Sequence, residues 1–357
     1  MQAVLSAIGM IFGKLMFFIY NTVGFQNYAL SLLFFTIVYK LILLPLSVKQ
    51  IRSTQKMQEL QPELKRIQER YKNDKEKLNE ATMKFYQEKG YNPTSGCLPV
   101  LIQFPIIIAL FYVIRMPMTY MIELPAKAIG EMVIVAVEKG EFDPGLLRKK
   151  NYEAIKDNPV EVYTGFNESD YYFEIKLIDS FKKYPEILDK KVALTDEQIS
   201  KLTDDEKARL IDGQLPILTA EQKAVLSKLN LKMFGFFNLG IQPTLLPKAI
   251  MDNPGDFLPA LILLIIAVVT TYITTALMMP SAQPNQNSKD KNNNAGCANK
   301  GMLYFSPLMT LWFGTIAPSG LAFYWIISNI LSFIQQKTLN KMYKKEKEEK
   351  QVVKVDN

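Results

Sequence analysis

Apolar residues in this chain are gathered into long blocks that are separated by polar stretches. A transmembrane helix needs about 20 mostly apolar residues, and several blocks reach or approach that length. The pattern is typical of a polytopic membrane protein rather than of a soluble domain with one core. We predict an all-α fold with five transmembrane helices, at residues 27–46, 97–116, 257–279, 301–317 and 318–336.

The last two predicted spans come from one long uncharged block, residues 301–336. A single helix of that length would measure about 54 Å, whereas the hydrocarbon core of a bilayer is about 30 Å thick. Pro318-Ser319-Gly320 interrupts the block near its middle, and proline and glycine favour turns. We therefore predict a tight hairpin of two short spans.

One charged residue interrupts the first apolar block. Lys40 is the sole charge between Tyr28 and Leu46, and a lysine near mid-membrane costs at least about 2.5–3.5 kcal/mol on insertion scales. A polar cavity or pathway inside the membrane would explain it, and so would a side chain that extends to the nearer surface. Lys40 lies six residues before Leu46, about 9 Å along a helix, so the second explanation is geometrically feasible.

Residues 1–26 precede the first predicted span. Their apolar residues recur at helical spacing, which predicts an amphipathic helix lying at the membrane interface; an additional span is the alternative. The segment lacks the basic start and small-residue cleavage site of a secretory signal, so we expect no cleavage. The apolar positions are Leu5, Ile8, Phe12, Leu15 and Ile19.

Residues 47–96 are highly charged and have helical periodicity. Lys72-Asn73-Asp74 is a predicted turn between two helices, and Pro62 should kink or restart the first helix. Two helices cannot bury both of their faces, so the apolar stripe should meet the membrane surface, the rest of the protein or a partner; a solvated hairpin without a partner is the alternative. The first stripe comprises Met57, Leu60, Leu64, Ile67 and Tyr71, and the second Leu78, Met83, Phe85 and Tyr86.

Residues 117–256 form a polar region between the second and third spans. Thr195-x-x-Gln198, Thr203-x-x-Glu206 and Thr219-x-x-Gln222 are capping-box patterns, which predict three short helices. We interpret the region as an inserted, mainly helical domain, and it contains no catalytic spacing. Residues 280–300 are rich in Asn, Gln and Ser and predict a flexible loop, whereas residues 337–357 predict a basic, fraying tail.

The distribution of positive charge orients the predicted spans. Lysine and arginine number 11 in residues 47–96, three in residues 280–300 and seven in residues 337–357. Cytoplasmic segments carry an excess of these residues, so we expect a multi-pass membrane protein with its N-terminus outside and its C-terminus in the cytoplasm. The 117–256 domain is then extracytoplasmic, and Arg115 at its edge is expected to anchor the second span at the interface.

The composition excludes several kinds of chemistry. The chain has no histidine and only two cysteines, Cys97 and Cys297. Histidine is the commonest general base and zinc ligand, and two cysteines cannot form a multi-thiolate metal site. We predict no cofactor, no metal and no enzymatic activity.

The order of these parts resembles the YidC/Oxa/Alb family of membrane protein insertases, particularly bacterial members with a short N-terminal segment. A span with one cation precedes Leu-Pro-Leu, a charged hairpin follows, and the next span opens with a proline-rich block. The last spans contain a Phe-Ser-Pro motif and a Pro-Ser-Gly-Leu motif. The residues that match are Leu44-Pro45-Leu46, Asn92-Pro93, Gly96-Cys97-Leu98-Pro99, Gln103-Phe104-Pro105-Ile106, Phe305-Ser306-Pro307 and Pro318-Ser319-Gly320-Leu321.

The resemblance implies a fold of five transmembrane helices around a hydrophilic groove that is open to the cytoplasm. The cation of that groove is usually arginine, and its position here is Lys40. This is a departure from the family, since a buried lysine can lose its proton whereas arginine stays charged. The other groove or substrate-contact positions that the resemblance implies are Thr36, Gln103, Thr270, Thr274, Tyr324 and Trp325.

Two of these assignments have alternatives. Thr270, Thr271, Thr274 and Thr275 give the third span a polar face, which would also suit close interhelical packing. A lone Gln103 would also suit a hydrogen bond to a neighbouring carbonyl. The inserted domain is a second departure, because family members with a large outer domain usually carry it before the first span.

The function that the resemblance implies is insertion of newly made hydrophobic segments into the bacterial inner membrane, alone or with the Sec translocon. The expected partners are nascent membrane proteins, the ribosome and anionic lipid. A small-solute transporter or channel that uses Lys40 to bind an anion is the alternative, although it would predict inverted repeats, which the sequence lacks. A receptor that acts through its outer domain is a third interpretation.

Overall fold

The computed structural model describes residues 2–92, 98–147, 150–170, 172–278 and 294–355. Over these residues the chain is predominantly helical, as predicted, with a few short strands. The chain divides into two compact units. The first unit comprises Met1–Phe35 and Ile108–Ile241, and the second comprises Thr36–Ile107 and Gln242–Asn357.

The N-terminal helix packs on the start of the polar region within the first unit. Helix α1 covers Gln2–Asn21, as its periodicity predicts. A Cβ added to Gly13 would lie 1.7 Å from the carbonyl oxygen of Tyr120, so only glycine allows this approach. The Lys14 ammonium pairs with the Glu123 carboxylate at 3.2 Å. The helix therefore packs on the protein, and its position at a membrane interface remains a prediction.

The other helices and strands of the chain follow in order, and their bounds fix the positions of the candidate residues. The structure has α2 Tyr28–Ile42, α3 Leu44–Arg70, α4 Lys75–Glu88, α5 Leu98–Arg115, α6 Pro117–Tyr120, α7 Ala126–Glu138, α8 Tyr152–Ile155, α9 Pro159–Ser169, α10 Phe173–Ser180, β1 Lys191–Ala193, α11 Asp196–Ser200, α12 Asp204–Ala208, β2 Gln214–Pro216, α13 Ala220–Lys228, β3 Lys232–Met233, β4 Phe237–Asn238, α14 Pro247–Asp252, α15 Pro254–Met278, α16 Asn294–Ile316 and α17 Ser319–Val355.

The three predicted capping boxes are all present in the polar region. Thr195, Thr203 and Thr219 each accept a backbone N–H three residues on, and the side chain at that third position bonds back. These reciprocal hydrogen bonds give a partner to two backbone N–H groups that would otherwise lack one at the start of a helix. They confirm the short helices α11, α12 and α13, and strands β1 and β2 pair antiparallel around the first two.

A buried polar cluster joins the end of α5 to α10 in the first unit. The Arg115 guanidinium is only 6% exposed and donates to Asn167 Oδ1 at 2.7 Å. The Glu174 carboxylate accepts the backbone N–H groups of Met118 at 2.9 Å and Thr119 at 3.2 Å. The expectation that Arg115 anchors an interface is therefore wrong, because the inserted domain supplies partners that bury the guanidinium.

Burial dominates the acid–base behaviour of Glu174. It raises the pKa of this carboxyl to about 7, from 4.5, although the hydrogen bonds from Thr119 and Met118 oppose the shift. The folded protein therefore binds more protons than the unfolded chain between these two pH values. Stability contributed by this group is fully present below about pH 4.5 and is lost as the pH rises to about 7.

We predict that Glu174→Gln removes this pH dependence, since glutamine is neutral throughout and its carbonyl still accepts both N–H groups. Between pH 4.5 and 7.5 the wild-type protein should lose up to about 3 kcal/mol more stability than the variant. Thermal or chemical unfolding in detergent over this pH range measures the difference. Glu221→Gln, at an exposed position, is the control; parallel slopes for Glu174→Gln and wild type would contradict the prediction.

The charged segment of the second unit contains the two helices α3 and α4. Their common core consists of Leu60, Leu64 and Phe85, with Met57, Ile67 and Tyr86 packed against it. Asp74 caps α4 by accepting the N–H of Lys77 at 3.1 Å. Two sequence expectations differ from this arrangement: Pro62 lies inside a continuous α3 and does not restart it, and Met83 is exposed.

The first apolar helix is shorter than the predicted span 27–46. Helix α2 ends at Ile42, and α3 begins at Leu44 with a bend of 64° between the two axes. Pro45 lies in the first turn of α3, where its missing N–H leaves no hydrogen bond unmade. Leu44–Leu46 therefore belongs to α3, and Lys40 lies in the last turn of α2.

The C-terminal helices α15, α16 and α17 complete the second unit. Helices α16 and α17 are separated at residues 317–318, the position that Pro318 predicts. Helix α17 continues through the basic segment to Val355, so the expectation of a fraying tail is wrong. Contacts from α3 explain the longer helix: Gln55 bonds to Asn340, and Arg52 pairs with Glu346 at 3.1 Å.

The described helices meet the length and composition of membrane spans to different degrees. Pro254–Leu277 is long and apolar enough to cross a bilayer, and the bent pair of α2 and α3 passes the same test when taken together. Shorter apolar helices cover Ser6–Asn21, Phe104–Arg115 and Leu303–Ile316. The five-span arrangement remains a prediction.

Candidate functional site

Lys40 is the charged centre of the candidate site. Its ammonium donates a hydrogen bond to Ser332 Oγ of α17 at 2.7 Å and lies 5.8 Å from the centroid of the Tyr39 ring. The residue is half-buried. Within the part of the chain that the structure describes, no carboxylate lies within 4 Å of its ammonium. The cation thus has a neutral hydroxyl and an aromatic ring as neighbours, and its charge is not neutralised by them.

A hydroxyl network continues from Lys40 along the contact of α2 with α17. The Tyr39 hydroxyl lies 2.8 Å from that of Tyr324 and 3.3 Å from that of Ser328. Tyr324 is fully buried, with 0% of its surface exposed, and Tyr39 is also buried. Thr36, one helical turn before Lys40, is equally buried. The contact between these two helices is therefore polar, although α2 and the first half of α17 are mostly apolar.

The polar side chains of α17 recur every fourth residue. Residues four apart in a helix are neighbours on one ridge, and this ridge contacts α2 at two places and α3 at a third. The Gln336 amide also donates to Asn340 within the ridge at 3.3 Å. The ridge consists of Tyr324, Ser328, Ser332, Gln336 and Asn340.

The threonines of α15 bond to the same C-terminal helix. The Asn329 amide donates to Thr271 Oγ1 at 2.9 Å and to Thr270 Oγ1 at 3.1 Å. Thr310 of α16 lies 3.4 Å from Thr271 as well. Thr270 and Thr271 therefore take part in an interhelical contact of the kind that small hydroxyl residues favour in membrane helices, and the assignment of Thr270 to a groove remains a prediction. Thr274 is half-buried.

The aromatic pair of α17 lies in the interior of the second unit. Trp325 is buried, and a Cβ added to Gly314 of α16 would lie 3.7 Å from its ring. Tyr324 contacts Tyr39, with ring centroids 5.9 Å apart. In this arrangement neither aromatic side chain is placed on an exposed surface.

Gln103 lies on α5, but its side chain is outside the described residues, as are Cys97 and the side chain of Cys297. The predicted loop over residues 280–300 is also largely outside them. Among the described residues, no group of three acidic or cysteine side chains is placed to hold a metal ion.

The structure brings together Lys40, Tyr324 and Thr36, which the sequence indicated, with four residues that it did not assign to the site. Tyr39, Ser328, Asn329 and Ser332 supply the hydrogen bonds that connect α2, α15 and α17. The fourfold spacing from Tyr324 to Asn340 is visible in the sequence, and an analysis of polar periodicity in the last span would have found the ridge.

These features define a class of protein: a helical membrane protein whose apolar helices are joined by an internal polar network around one lysine. Comparison with known families identifies the class more closely. The family model of the 60Kd inner membrane protein matches residues 18–146 and 177–347, most of the chain. The chain therefore belongs to this family, the YidC/Oxa1 family of inner membrane proteins, as its motifs predict.

Individual relatives match over shorter segments. A membrane protein insertase YidC of Clostridium perfringens is 53% identical over 87 residues, which are 24% of this chain and 37% of the relative. One from Fusobacterium nucleatum is 51% identical over 89 residues, 25% and 43% of the two chains. The insertase MisCA of Bacillus subtilis is 38% identical over 123 residues, 33% and 44% of the two chains. The chain thus spans less than half the length of these curated relatives.

We predict that Asn329→Leu weakens the contact between α15 and α17, because two hydroxyl groups lose their amide donor. Hydrogen bonds between membrane helices are worth about 0.6 kcal/mol on average and about 1.7 kcal/mol at most, so the loss of stability should fall in that range. Thermal unfolding in detergent measures it. Thr338→Val, which removes an exposed hydroxyl from the same helix, is the control. Equal stability of Asn329→Leu and wild type would contradict the prediction.

Proposed function

We propose that this protein is a membrane protein insertase that moves newly made hydrophobic segments into the bacterial inner membrane, alone or with the Sec translocon. The observation that carries the proposal is the Lys40 cation, held by Ser332 between two apolar helices without a carboxylate partner in the described structure. The names of the relatives, membrane protein insertase YidC and MisCA, support the same function.

The position of Lys40 decides how such a charge is tolerated. In the last turn of α2 it can reach the inner surface of the membrane, which lowers the cost of burying an ammonium. Its hydrogen bond to Ser332 instead directs the ammonium across to α17. We propose that the cation lies in a hydrophilic groove open to the cytoplasm, formed by five transmembrane helices that include α2, α15, α16 and α17.

The proposed mechanism is electrostatic capture followed by partition into lipid. An acidic residue in a substrate's short hydrophilic tail would approach Lys40, where the attraction at 4 Å is worth about 1 kcal/mol in water and about 4 kcal/mol at an effective dielectric constant of 20. Apolar substrate segments then enter the lipid, and the membrane potential contributes about 2.3 kcal/mol per charge per 100 mV. No covalent bond is made or broken.

The remaining assigned contacts depend on a movement of α17. Tyr324 and Trp325 are buried here, so a substrate helix would contact them after α17 separates from its neighbours. The hydroxyl groups of Ser332 and Ser328 then become free to form hydrogen bonds with the polar tail of the substrate. The Lys40 ammonium is released by the same movement. Thr36, Gln103, Thr270 and Thr274 complete the proposed lining.

We further propose the partners and the orientation that the charges indicate. The α3–α4 hairpin presents basic faces beside its small apolar core, and these suit the ribosome and anionic lipid at the cytoplasmic surface. Nascent membrane proteins are the substrates. The protein is multi-pass, with its N-terminus outside and its C-terminus in the cytoplasm. The transporter alternative lacks support from the family and from the relatives.

We predict that Lys40→Ala impairs insertion of substrates with a short acidic outer tail, whereas Lys40→Arg retains it. Loss of about 1 kcal/mol of attraction corresponds to about a fivefold lower insertion rate, and a less hydrated groove increases the effect. Depletion of the host insertase, complementation with each variant and protease protection of the substrate measure insertion. Lys49→Ala removes an exposed cation of α3 and is the control.

A double-mutant cycle separates the proposed attraction from general damage to the protein. The acidic residue of the substrate tail is replaced by asparagine, and the effect of Lys40→Ala is measured again. The proposal expects the effect to shrink, because the substrate no longer carries the charge. If Lys40→Ala inserts every substrate as well as wild type, Lys40 is not the capturing cation.

A further inference from the structure

The short hairpin formed by β3 and β4 exposes phenylalanine at its tip. Phe234 is 80% exposed and Phe236 is 55% exposed. Phe234 has φ of 52° and the following Gly235 has φ of 82°, so both central residues of the turn are left-handed. A bulky residue in that region is a conformational outlier, and such outliers persist where function requires them.

A second turn in the same unit also has positive φ at two successive residues, but its residues are those that such turns usually contain. Ile211 and Gln214 exchange two hydrogen bonds of 2.9 Å, and between them Asp212 and Gly213 have φ of 51° and 75°. Asp-Gly is a preferred pair for a turn that is left-handed at both positions. Phe234 therefore occupies a position where such a turn favours aspartate or asparagine. A turn of this kind forms without an apolar ring at that position.

The base of the aromatic hairpin is firmly held. The Leu239 N–H donates to the Leu231 carbonyl at 2.9 Å, and Asn238 accepts the N–H of Gly240 at 3.0 Å. A Cβ on Gly240 would lie 2.4 Å from Ile175 Cγ2 of α10. The exposed rings therefore project from a fixed base and do not belong to a loop that can fold them inward.

The same contacts connect the hairpin to the segment that follows the second predicted span. Ile175 is next to Glu174, whose carboxylate holds the N–H groups of Met118 and Thr119 just beyond the end of α5. Helix α10 therefore contacts the hairpin base through Ile175 and the segment after α5 through Glu174. The hairpin tip thus belongs to the unit that also contains the end of α5, which is a predicted membrane boundary.

The charges around the hairpin suit a membrane surface. Residues 228–241 include Lys228 and Lys232, both exposed, and no aspartate or glutamate. The Lys182 ammonium reaches the start of the hairpin, where it donates to Asn230 Oδ1 at 3.1 Å. Lysines beside exposed aromatic rings match the phosphate groups and the upper acyl region of a bilayer, and the Asp179 carboxylate accepts a hydrogen bond from the Asn238 amide at 3.5 Å.

We propose that the Phe234–Phe236 tip is a lipid anchor, which inserts into the outer leaflet of the membrane that this protein spans and fixes the inserted domain against it. Phe25 supports the assignment within the same unit, because it is 79% exposed with φ of 51° and lies three residues before α2. The anchor does not depend on the insertase function proposed above.

The test measures the depth of single fluorescent labels in the full-length protein. In a cysteine-free background, bimane is attached at position 236, at position 25 as a membrane-boundary reference, and at position 212 on the matched polar turn. The protein is reconstituted into phosphatidylethanolamine–phosphatidylglycerol vesicles that carry shallow doxyl lipids or are exposed to iodide. Interfacial residues lie about 5–10 Å into the headgroup and acyl boundary. Quenching by shallow doxyl lipids should therefore be the same for the label at position 236 as for the label at position 25.

The expected result is lipid quenching at position 236 that exceeds quenching at 212 at least about twofold, with iodide quenching in the reverse order. Equal iodide access at 236 and 212 would overturn the proposal, and would leave a protein partner as the occupant of the tip. Since the vesicles contain only this protein and lipid, a partner cannot imitate the lipid signal.

The variant Phe234→Asn separates anchoring from folding. Asparagine adopts a positive φ more readily than phenylalanine, so thermal stability in detergent should be unchanged or higher, while lipid quenching of the label at 236 should fall to the level at 212. A loss of stability in detergent would instead assign Phe234 a structural role. Lipid quenching that Phe234→Asn leaves unchanged would likewise contradict the anchor.

Discussion

The second unit depends on one constraint: a polar or charged group on an apolar helix needs a partner within the protein when no water is available. Lys40 meets this constraint through Ser332, and Tyr39 meets it through Tyr324 and Ser328. These bonds fix which face of α17 is turned toward α2. Asn329 of the same helix donates hydrogen bonds to the threonines of α15, so α17 is bonded to both α2 and α15.

This arrangement connects stability with the proposed activity. The hydroxyl groups that hold the helices together are the groups that a polar substrate tail would need in the proposed mechanism. An uncharged hydroxyl is a weak partner for an ammonium compared with a carboxylate. In the proposed mechanism Lys40 is therefore available to attract an incoming acidic residue, which a buried ion pair with a resident carboxylate would prevent.

The first unit solves a different problem, the attachment of a polar domain to membrane helices. Arg115 and Glu174 at the end of α5 are buried with specific partners, and Gly13 lets α1 pack directly on Tyr120. Glu174 is fully buried at this junction, and its burial raises its pKa to about 7. The proposed aromatic anchor would add a contact with lipid to these contacts within the protein.

Much of the local structure was predictable because its causes lie within a few residues. The capping boxes at Thr195, Thr203 and Thr219 act over three residues, and they mark helices that the structure contains. The break at Pro318 and the stripe through Leu60 and Leu64 are equally local. The motifs around Lys40 and Tyr324 identified the family in the same way, and the family model agrees.

The sequence failed where a distant partner decided the outcome. The sequence predicted an interface position for Arg115, but its guanidinium donates a hydrogen bond to Asn167 of α9. It also predicted a disordered basic tail, but Gln55 and Arg52 of α3 bond to this segment. The roles of Ser332 and Asn329 also depend on helices far away in the chain.

The sequence by itself determined the helical membrane class, the family and the unusual lysine, since hydropathy and short motifs are properties of neighbouring residues. Only the tertiary structure decided what Lys40 bonds to, that the threonines of α15 pack helices together, and that Tyr324 is buried. The physical reason is that hydrogen bonds and burial between helices are set by faces that meet in space, and periodicity along one helix does not say which face meets which.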